Sequence, residues 1–250
     1  MILGIAIHDM ANHRVNQQSA YILHSRPYTE TSLIVEVFSP DYGRVGLLAK
    51  GARNPKNHKR GILQPFQPLL MNWVGKGDLP ILSSVEQGDN VYHFDYKSRV
   101  CGFYANELIY KLLQRRDPHP KLYEYFAKLM AYLNACAFKN KERELALRSF
   151  EKRLLAEIGF GLILDRDIEQ QELIDPELLY HYIPERGPEI YQSNVRYSPL
   201  IVSGMVLHCI DRDHYPTEQL MQQAKQFMRQ ILQILLDDKP VHSRRLLYIS

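Results

Sequence analysis

The sequence contains few cysteines and no long hydrophobic run, and each shortage excludes a class of protein. Its three cysteines, Cys101, Cys136 and Cys209, lie far apart and form no C-x-x-C pair, which argues against a disulfide framework and a zinc knuckle. No stretch approaches the roughly 18–20 apolar residues that cross a bilayer. The N-terminal MILGIAIHDM has no basic leader, so it is a poor secretory signal. We expect a cytoplasmic, nucleoid-associated protein with no membrane partner.

Catalytic motifs are also missing. The sequence has no Walker loop of the form G-x-x-x-x-G-K-[ST], no H-E-x-x-H and no G-x-S-x-G, so it shows no sign of those phosphate-binding, zinc-dependent or serine-nucleophile sites. We predict no catalytic residue, no cofactor and no metal. The alternative is a nuclease whose carboxylates hold Mg²⁺. Its candidate residues are Asp165, Asp167, Glu169 and Glu172, which Arg166 interrupts.

Positive charge is concentrated in residues 43–61, which read GRVGLLAKGARNPKNHKRG. This segment carries six cations and no acid, whereas the formal net charge of the whole chain is +3. Crowded like charges repel one another, and a polyanion that releases counterions relieves the repulsion. The segment therefore predicts a contact with a nucleic-acid backbone, and a solvated surface loop is the alternative. The six cations are Arg44, Lys50, Arg53, Lys56, Lys59 and Arg60.

Short β segments joined by turns occupy the first third of the chain. Alternating or continuous apolar residues predict five strands, at about 19–23, 31–38, 44–50, 69–74 and 79–85. Five such strands within about 70 residues favour a small closed barrel of the OB-fold type, whose common ligand is single-stranded nucleic acid. A rival interpretation is therefore an RNA-binding OB module, which recognition of the 2′-hydroxyl would distinguish.

Aromatic residues in or beside these strands offer surfaces on which bases stack. Most of them are expected to fill the barrel core, but Tyr28 and Tyr42 lie in turns and are expected to be more exposed. Arg26 shares the turn region of Tyr28 and is a candidate phosphate contact or guanidinium stack.

Helical periodicity replaces the β pattern after about residue 90. Pro118 and Pro120 separate the first two predicted helices, and Gly159 follows the third. Thr217 is placed to cap the last helix. Residues 162–200 are polar and predict an irregular insertion with a short hairpin. The apolar stripes of the four helices lie at 101–112, 122–133, 147–158 and 220–235.

We therefore predict an α+β protein of two domains: a five-stranded OB-fold barrel followed by an all-α domain with an irregular insertion. The expected bounds are an N-terminal extension at 1–17, the barrel at 18–90 and the helical domain at 91–250.

The chain resembles the bacterial recombination mediator RecO family. The resemblance is specific because HSRP-x-x-ETSL, GRV-x-x-x-AKGAR and LQPF occur together, in order and at family-like spacing. Weaker matches cover NEL at 106–108, R-x-FE at 148–151 and KPVHSRRL at 239–246, so the resemblance extends over nearly all of the chain beyond residue 18.

The resemblance implies a DNA repair and recombination protein of the RecFOR pathway that is not an enzyme. Such proteins bind single- and double-stranded DNA, anneal complementary strands, partner RecR and contact the C-terminal tail of the single-strand-binding protein, and so help RecA to load. The expected DNA contacts are Arg26, Tyr28, Arg44, Lys50, Arg53, Lys56, Lys59 and Arg60. The expected contacts of the acidic, hydrophobic-ended tail are Arg148, Leu147 and Phe150.

Two points qualify the resemblance. Arg148 has an alternative role as a helix-surface cation paired with Glu144 or Glu151. Some family members carry a four-cysteine zinc site in the insertion, whereas residues 160–200 contain no cysteine here. We therefore predict no zinc and an insertion held by packing through Tyr180, Tyr182 and Ile183.

Overall fold

A computed structural model describes residues 14–136, 139–192, 200–237 and 239–248. Residues 1–13, which hold most of the expected N-terminal extension, lie outside the described part. Within the described residues, no helix is both long and apolar enough to cross a membrane. The chain divides into two compact units, one from Arg14 to His93 together with Leu113–Glu124, the other comprising Phe94–Leu112 and the residues from Tyr125 onward.

The first unit contains a closed barrel of five strands, which confirms the predicted fold class. The strand order is β1-β2-β3-β5-β4, and β4 pairs with β1 to close the barrel. Neighbouring strands are antiparallel except for β3 and β5, which meet in parallel at Leu48 and Ile81. The strands are β1 (Arg14–Pro27), β2 (Leu33–Ser39), β3 (Gly43–Ala49), β4 (Leu69–Val74) and β5 (Ile81–Gln87), with a short helix α1 (Lys59–Ile62) between β3 and β4.

Strand β1 begins at Arg14, five residues before the β signal in the sequence and inside the predicted extension 1–17. Val15 pairs with Trp73 of β4, and the register then shifts before Gln18, beside Gln17 with φ of +49°. This bulge breaks the alternation of apolar and polar side chains. Residues 14–18 therefore belong to a strand although their side chains do not alternate, because backbone pairing with β4 stabilises it.

Both faces of β2 are buried. Val35 and Val37 point into the barrel core, as the alternation predicts, while Glu36 and Phe38 of the other face are also almost fully covered. The ring of Phe38 packs on Tyr123 with centroids 5.6 Å apart. The sequence assigned residues 113–124 to the helical domain, but they belong to the compact unit of the barrel because they cover this outer face.

The second unit contains most of the helices and a small sheet. The predicted breaks are confirmed, since α3 begins at Pro120, α4 ends before Gly159, and the Thr217 hydroxyl accepts a hydrogen bond from Leu220 N at the start of α6. The elements that lie wholly or mostly in this unit are α2 (Tyr96–Leu112), α3 (Pro120–Ala135), α4 (Asn140–Glu157), β6 (Leu179–Ile183), β7 (Gly187–Ile190), β8 (Ile201–Ser203), α5 (Gly204–Asp211), α6 (Glu218–Leu235) and a 3₁₀ helix at His242–Tyr248.

The insertion contains the predicted hairpin, β6–β7, and β6 also pairs with a third strand just beyond the insertion, β8, that the sequence did not predict. Tyr180 and Tyr182 are each 2% exposed, and Ile183 is half-buried. The Tyr182 ring packs edge-on against Phe227 at 5.0 Å, and its hydroxyl accepts a hydrogen bond from Ile163 N at 3.1 Å. The predicted packing through the two tyrosines is therefore present.

Candidate nucleic-acid interface and partner groove

The basic loop between β3 and β4 is anchored at both ends by apolar residues. Ala52 and Leu63 are buried and belong to the barrel core. Between them, the Asn57 side-chain amide donates a hydrogen bond to the Gly51 carbonyl at 3.0 Å. Gly51 has φ of +69°, a left-handed conformation that glycine adopts without strain. The loop is thus a built turn that presents its polar residues outward.

Arg53 joins this loop to the turn between β1 and β2. Its backbone N–H donates to Thr31 O at 2.8 Å, and its guanidinium donates to Thr29 O at 2.6 Å. The same turn carries Tyr28, which is 55% exposed. We call the following exposed residues of these two joined segments the basic end of the barrel: Arg26, Tyr28, Lys50, Arg53, Lys56 and Arg60.

Lys59 differs from its neighbours in the loop. Its half-buried ammonium donates to the carbonyl oxygens of Leu82 and Ser83 in β5, at 3.2 and 3.0 Å. Burial lowers the pKa of this amine, because the charged form loses hydration. Lys59 therefore holds α1 against β5, and its predicted DNA contact stays a prediction.

Arg44 lies away from the basic end. It is at the start of β3, and Lys50 follows the end of that strand, so the rise per residue separates their Cα atoms by roughly 20 Å. The Arg44 carbonyl accepts a hydrogen bond from Arg116 N at 2.9 Å.

A cleft of the barrel unit is lined by cationic side chains that the sequence did not indicate as site residues. It has a volume of about 410 Å³ and is lined by Tyr42, Trp73, Lys76 and Arg116 among others. Tyr42 is half-buried with its ring edge-on to Trp73 at 5.3 Å, so it is less exposed than its turn position suggested. The adjacent Arg115 and Arg116 could have indicated a cationic site from the sequence. They were assigned to the helical domain because the residues around them have a helical pattern.

The acidic cluster of the nuclease alternative does not converge on a metal site. The Asp167 carboxylate accepts hydrogen bonds from the backbone N–H groups of Gln170, Glu172 and Glu169, at 2.6, 2.9 and 3.0 Å. These bonds lower the pKa of Asp167. Asp165 is exposed and pairs with its neighbour Arg166. Among the described residues, no group of three or more histidine, cysteine or acidic side chains is placed to hold a metal ion.

In the second unit, helices α2, α4 and α6 enclose a groove of about 760 Å³, which we call the helical groove. Tyr96 supplies exposed apolar surface, whereas Cys101 and Met221 of the lining are buried, and five cations outnumber two glutamates there. Arg143, one of these cations, is buried and forms an ion pair with Asp95 at 2.9 Å. The other cations are Lys97, Lys141, Lys225 and Arg229, and the acids are Glu144 and Glu218.

Arg148 is buried beside this groove. Its guanidinium bonds Glu151 at 2.5 Å and lies 3.6 Å from Glu144, and its side chain is 3% exposed. Burial alone would lower the pKa of Arg148, but the adjacent carboxylates outweigh it and raise that pKa. Arg148 is therefore paired with both candidate glutamates, but it is not a helix-surface cation as that alternative supposed.

Leu147 and Phe150, the apolar residues of the predicted tail site, belong to the interior. They are 6% and 2% exposed, and the Phe150 ring packs on Phe126 at 6.1 Å. In the helical groove, the exposed apolar surface is that of Tyr96 instead. The role of Arg148 in tail binding stays a prediction.

These features define a class: an α+β protein with a closed, OB-like barrel that carries an exposed basic loop, followed by a helical unit with a basic groove. The comparisons with known proteins are consistent with it. The family model for the N-terminal part of recombination protein O matches residues 10–90, and the model for its C-terminal part matches residues 93–245. The chain belongs to the RecO family of DNA repair proteins.

Individual relatives extend over nearly the whole chain. A DNA repair protein RecO of Dechloromonas aromatica is 40% identical over 233 residues, which cover 93% of this chain and 95% of the relative. One of Nitrosococcus oceani is 40% identical, covering 94% and 93%. One of Coxiella burnetii is 37% identical, covering 94% and 99%.

Proposed function

We propose that the protein is a DNA repair and homologous recombination mediator that acts by binding rather than by catalysis. The observation that carries this proposal is the basic end of the barrel, where Lys50, Lys56 and Arg60 are exposed and Arg53 joins their loop to the turn that carries the exposed ring of Tyr28. Cations neutralise phosphates and the ring offers a stacking surface, so the site suits both single- and double-stranded DNA. Membership of the RecO family supports it.

Strand annealing has a direct physical account at such a site. Exposed Lys and Arg reduce the repulsion between two phosphate backbones, and contacts to phosphate carry no sequence information. The bases of a bound strand therefore remain available to pair with a complementary strand. No reaction step is needed, which fits the proposal that the protein has no catalytic turnover.

The partners follow from the same proposal. The helical groove has apolar surface and exposed or half-exposed cations, which suit the acidic, hydrophobic-ended tail of the single-strand-binding protein. With RecR as a second partner, the protein would help RecA to load on DNA covered by the single-strand-binding protein. We place this activity in the cytoplasm, at the nucleoid.

The salt dependence of binding tests the DNA site. For the double variant Lys56→Ala/Arg60→Ala, we expect the slope of log K against log salt on single-stranded DNA to become shallower by about 1.4, since each lost phosphate contact removes about 0.7. Fluorescence anisotropy of a labelled oligonucleotide at four or more salt concentrations measures this slope.

Lys121→Ala/Arg186→Ala is the matched control, because it removes two exposed cations that lie outside the basic end. Equal slopes for the two double variants would contradict the assignment of the basic end. Competition by RNA of the same length checks the RNA-binding alternative, and preferential binding of the RNA would favour it.

A further inference from the structure

Glu144 holds an unusual position in the helical groove. Its carboxylate lies 2.5 Å from the ammonium of Lys225 and 3.6 Å from the guanidinium of Arg148. The side chain is 27% exposed, and both Glu144 and Lys225 line the groove. One carboxylate of the protein thus stands between two cations, at the wall of a groove that suits acidic ligands.

The hydrogen-bonding capacity around Glu144 is only partly used. Nε and Nη1 of Arg148 are buried and have no hydrogen-bond partner among the described residues, and the same holds for Oε2 of Glu144. Among the described residues, Arg148 donates a hydrogen bond to a carboxylate only through Nη2, to Glu151, while Glu144 lies at ion-pair distance from Nη1. A guanidinium presents five N–H donors, and buried donors without acceptors cost free energy. A better-placed carboxylate would therefore be favoured here.

An acidic peptide entering the groove meets Glu144 at this point. The exposed ammonium of Lys141 and the half-buried Arg229 attract its carboxylates, while the exposed ring of Tyr96 provides apolar contact. Lys225, however, is already neutralised by Glu144. Any carboxylate that approaches Lys225 also approaches the like charge of Glu144, which is repulsive at such distances.

We propose that Glu144 is an internal competitor, which occupies the carboxylate position between Lys225 and Arg148 and must be displaced when an acidic peptide binds. This inference rests on the proposed tail-binding role of the groove and adds the residue that limits its affinity. The competition keeps tail binding weak enough to be reversible, because part of the attraction of each cation is already satisfied within the chain.

The test compares Glu144→Gln with Glu142→Gln. Glutamine keeps the volume of glutamate but removes its charge. Glu142 is the matched control because it lies two residues away on α4 and pairs with Lys139 at 3.2 Å, with both side chains exposed. The probe is a fluorescein-labelled peptide with several aspartates and an apolar C-terminal residue that has a free carboxylate, and anisotropy at low salt gives its Kd.

We expect Glu144→Gln to bind this peptide about three- to tenfold more tightly than the intact chain, the range in which a partly screened charge contact falls. Glu142→Gln should bind as the intact chain does. If the intact chain binds the peptide and the two variants match each other, the competitor role of Glu144 is overturned while the proposed function stands. If the intact chain does not bind the peptide at all, the tail-binding role itself fails.

A double-mutant cycle with Lys225→Gln gives a second measurement. In the intact chain Lys225 is engaged by Glu144, so its loss should weaken peptide binding only slightly. In the Glu144→Gln background the ammonium is available to the peptide, and its loss should weaken binding about three- to tenfold. Equal effects of Lys225→Gln in both backgrounds would overturn the inference, because no coupling would then exist.

Discussion

At the scale of single residues, the contacts of each charge separate residues that the sequence presents as equivalent. Lys56 and Lys59 are three positions apart in one basic loop, yet Lys56 is exposed and Lys59 donates to two carbonyls of β5. Likewise Glu144 faces a groove, whereas Glu151 is fully buried between Arg148 and the hydroxyl of Tyr104. Partner and burial, rather than residue type, decide which charges remain available to a ligand.

Glu107 is a half-buried charge with a consequence for stability. Its carboxylate accepts hydrogen bonds from the backbone of His242 and Ser243, each at 2.8 Å, and pairs with Lys111. Burial opposes its ionisation, but these bonds outweigh burial and lower the pKa of Glu107 from 4.5 to about 2. The carboxylate thus holds the start of the C-terminal 3₁₀ helix against α2.

We expect Glu107→Gln to lower the free energy of unfolding by about 1–2 kcal/mol near neutral pH, after allowance for solvent screening. Because the folded pKa is depressed, the stabilisation is complete above pH 4.5 and disappears as pH falls towards 2. Urea unfolding at several pH values measures the difference. The exposed Glu177→Gln should show no such dependence, and a constant gap from pH 5 to pH 2 would contradict the prediction.

At the scale of elements, the turn at Asp167 is stabilised by hydrogen bonds to one carboxylate, and strand β2 is stabilised by burial of both its faces. The turn at Asp167 is closed by three backbone N–H groups that converge on one carboxylate. An acidic cluster that suggests a metal site in the sequence is therefore a capped turn in the structure. Ionised oxygens make strong acceptors for backbone N–H groups, which is why an aspartate suits this position.

We expect Asp167→Ala to destabilise the second unit by about 1–2 kcal/mol, since three backbone N–H groups lose the buried carboxylate that accepts from them. Asp165→Ala is the control, because Asp165 makes only an exposed ion pair with Arg166 and should change stability by less than about 0.5 kcal/mol. Chemical denaturation measures both, and limited proteolysis should cut the 165–173 segment faster in the Asp167 variant alone. Equal effects of the two substitutions would contradict this role.

At the scale of the whole molecule, positive charge is concentrated in one segment, and the barrel unit is built from two separate parts of the chain. Residues 44–60 carry +6 while the chain carries +3, so the rest of the molecule is net negative. The barrel unit is also discontinuous, because Leu113–Glu124 returns to it after α2. Tyr123 from this segment packs on both Tyr21 and Phe38, with ring centroids 5.6 Å apart in each case.

We expect a fragment that ends at residue 90 to lose cooperative unfolding and to bind a hydrophobic dye, because the apolar outer face of β1 and β2 becomes exposed. Joining residues 14–93 to residues 113–124 through a flexible glycine-serine linker should restore a cooperative transition. Near-UV circular dichroism on heating measures this. A fragment 14–90 that unfolds as sharply as the linked form would contradict the role of the returning segment.

The sequence alone was sufficient for properties that depend on neighbouring residues. Strand alternation predicted the barrel, Pro120 and Gly159 marked helix limits, and six cations within 17 residues marked the basic loop. These patterns are local, because backbone geometry and turn chemistry act over a few positions. The family followed from motifs of the same kind.

Only the tertiary structure decided which side chains meet. The bonds of Lys59 to β5, the packing of Tyr123 on Tyr21 and Phe38, and the ion pair of Glu144 with Lys225 all join residues far apart in the chain. Chain closure brings such groups together, and burial then determines how strongly each charge interacts. The residue types thus predict contacts with polyanions and acidic partners, while the fold determines which charges remain exposed for such contacts.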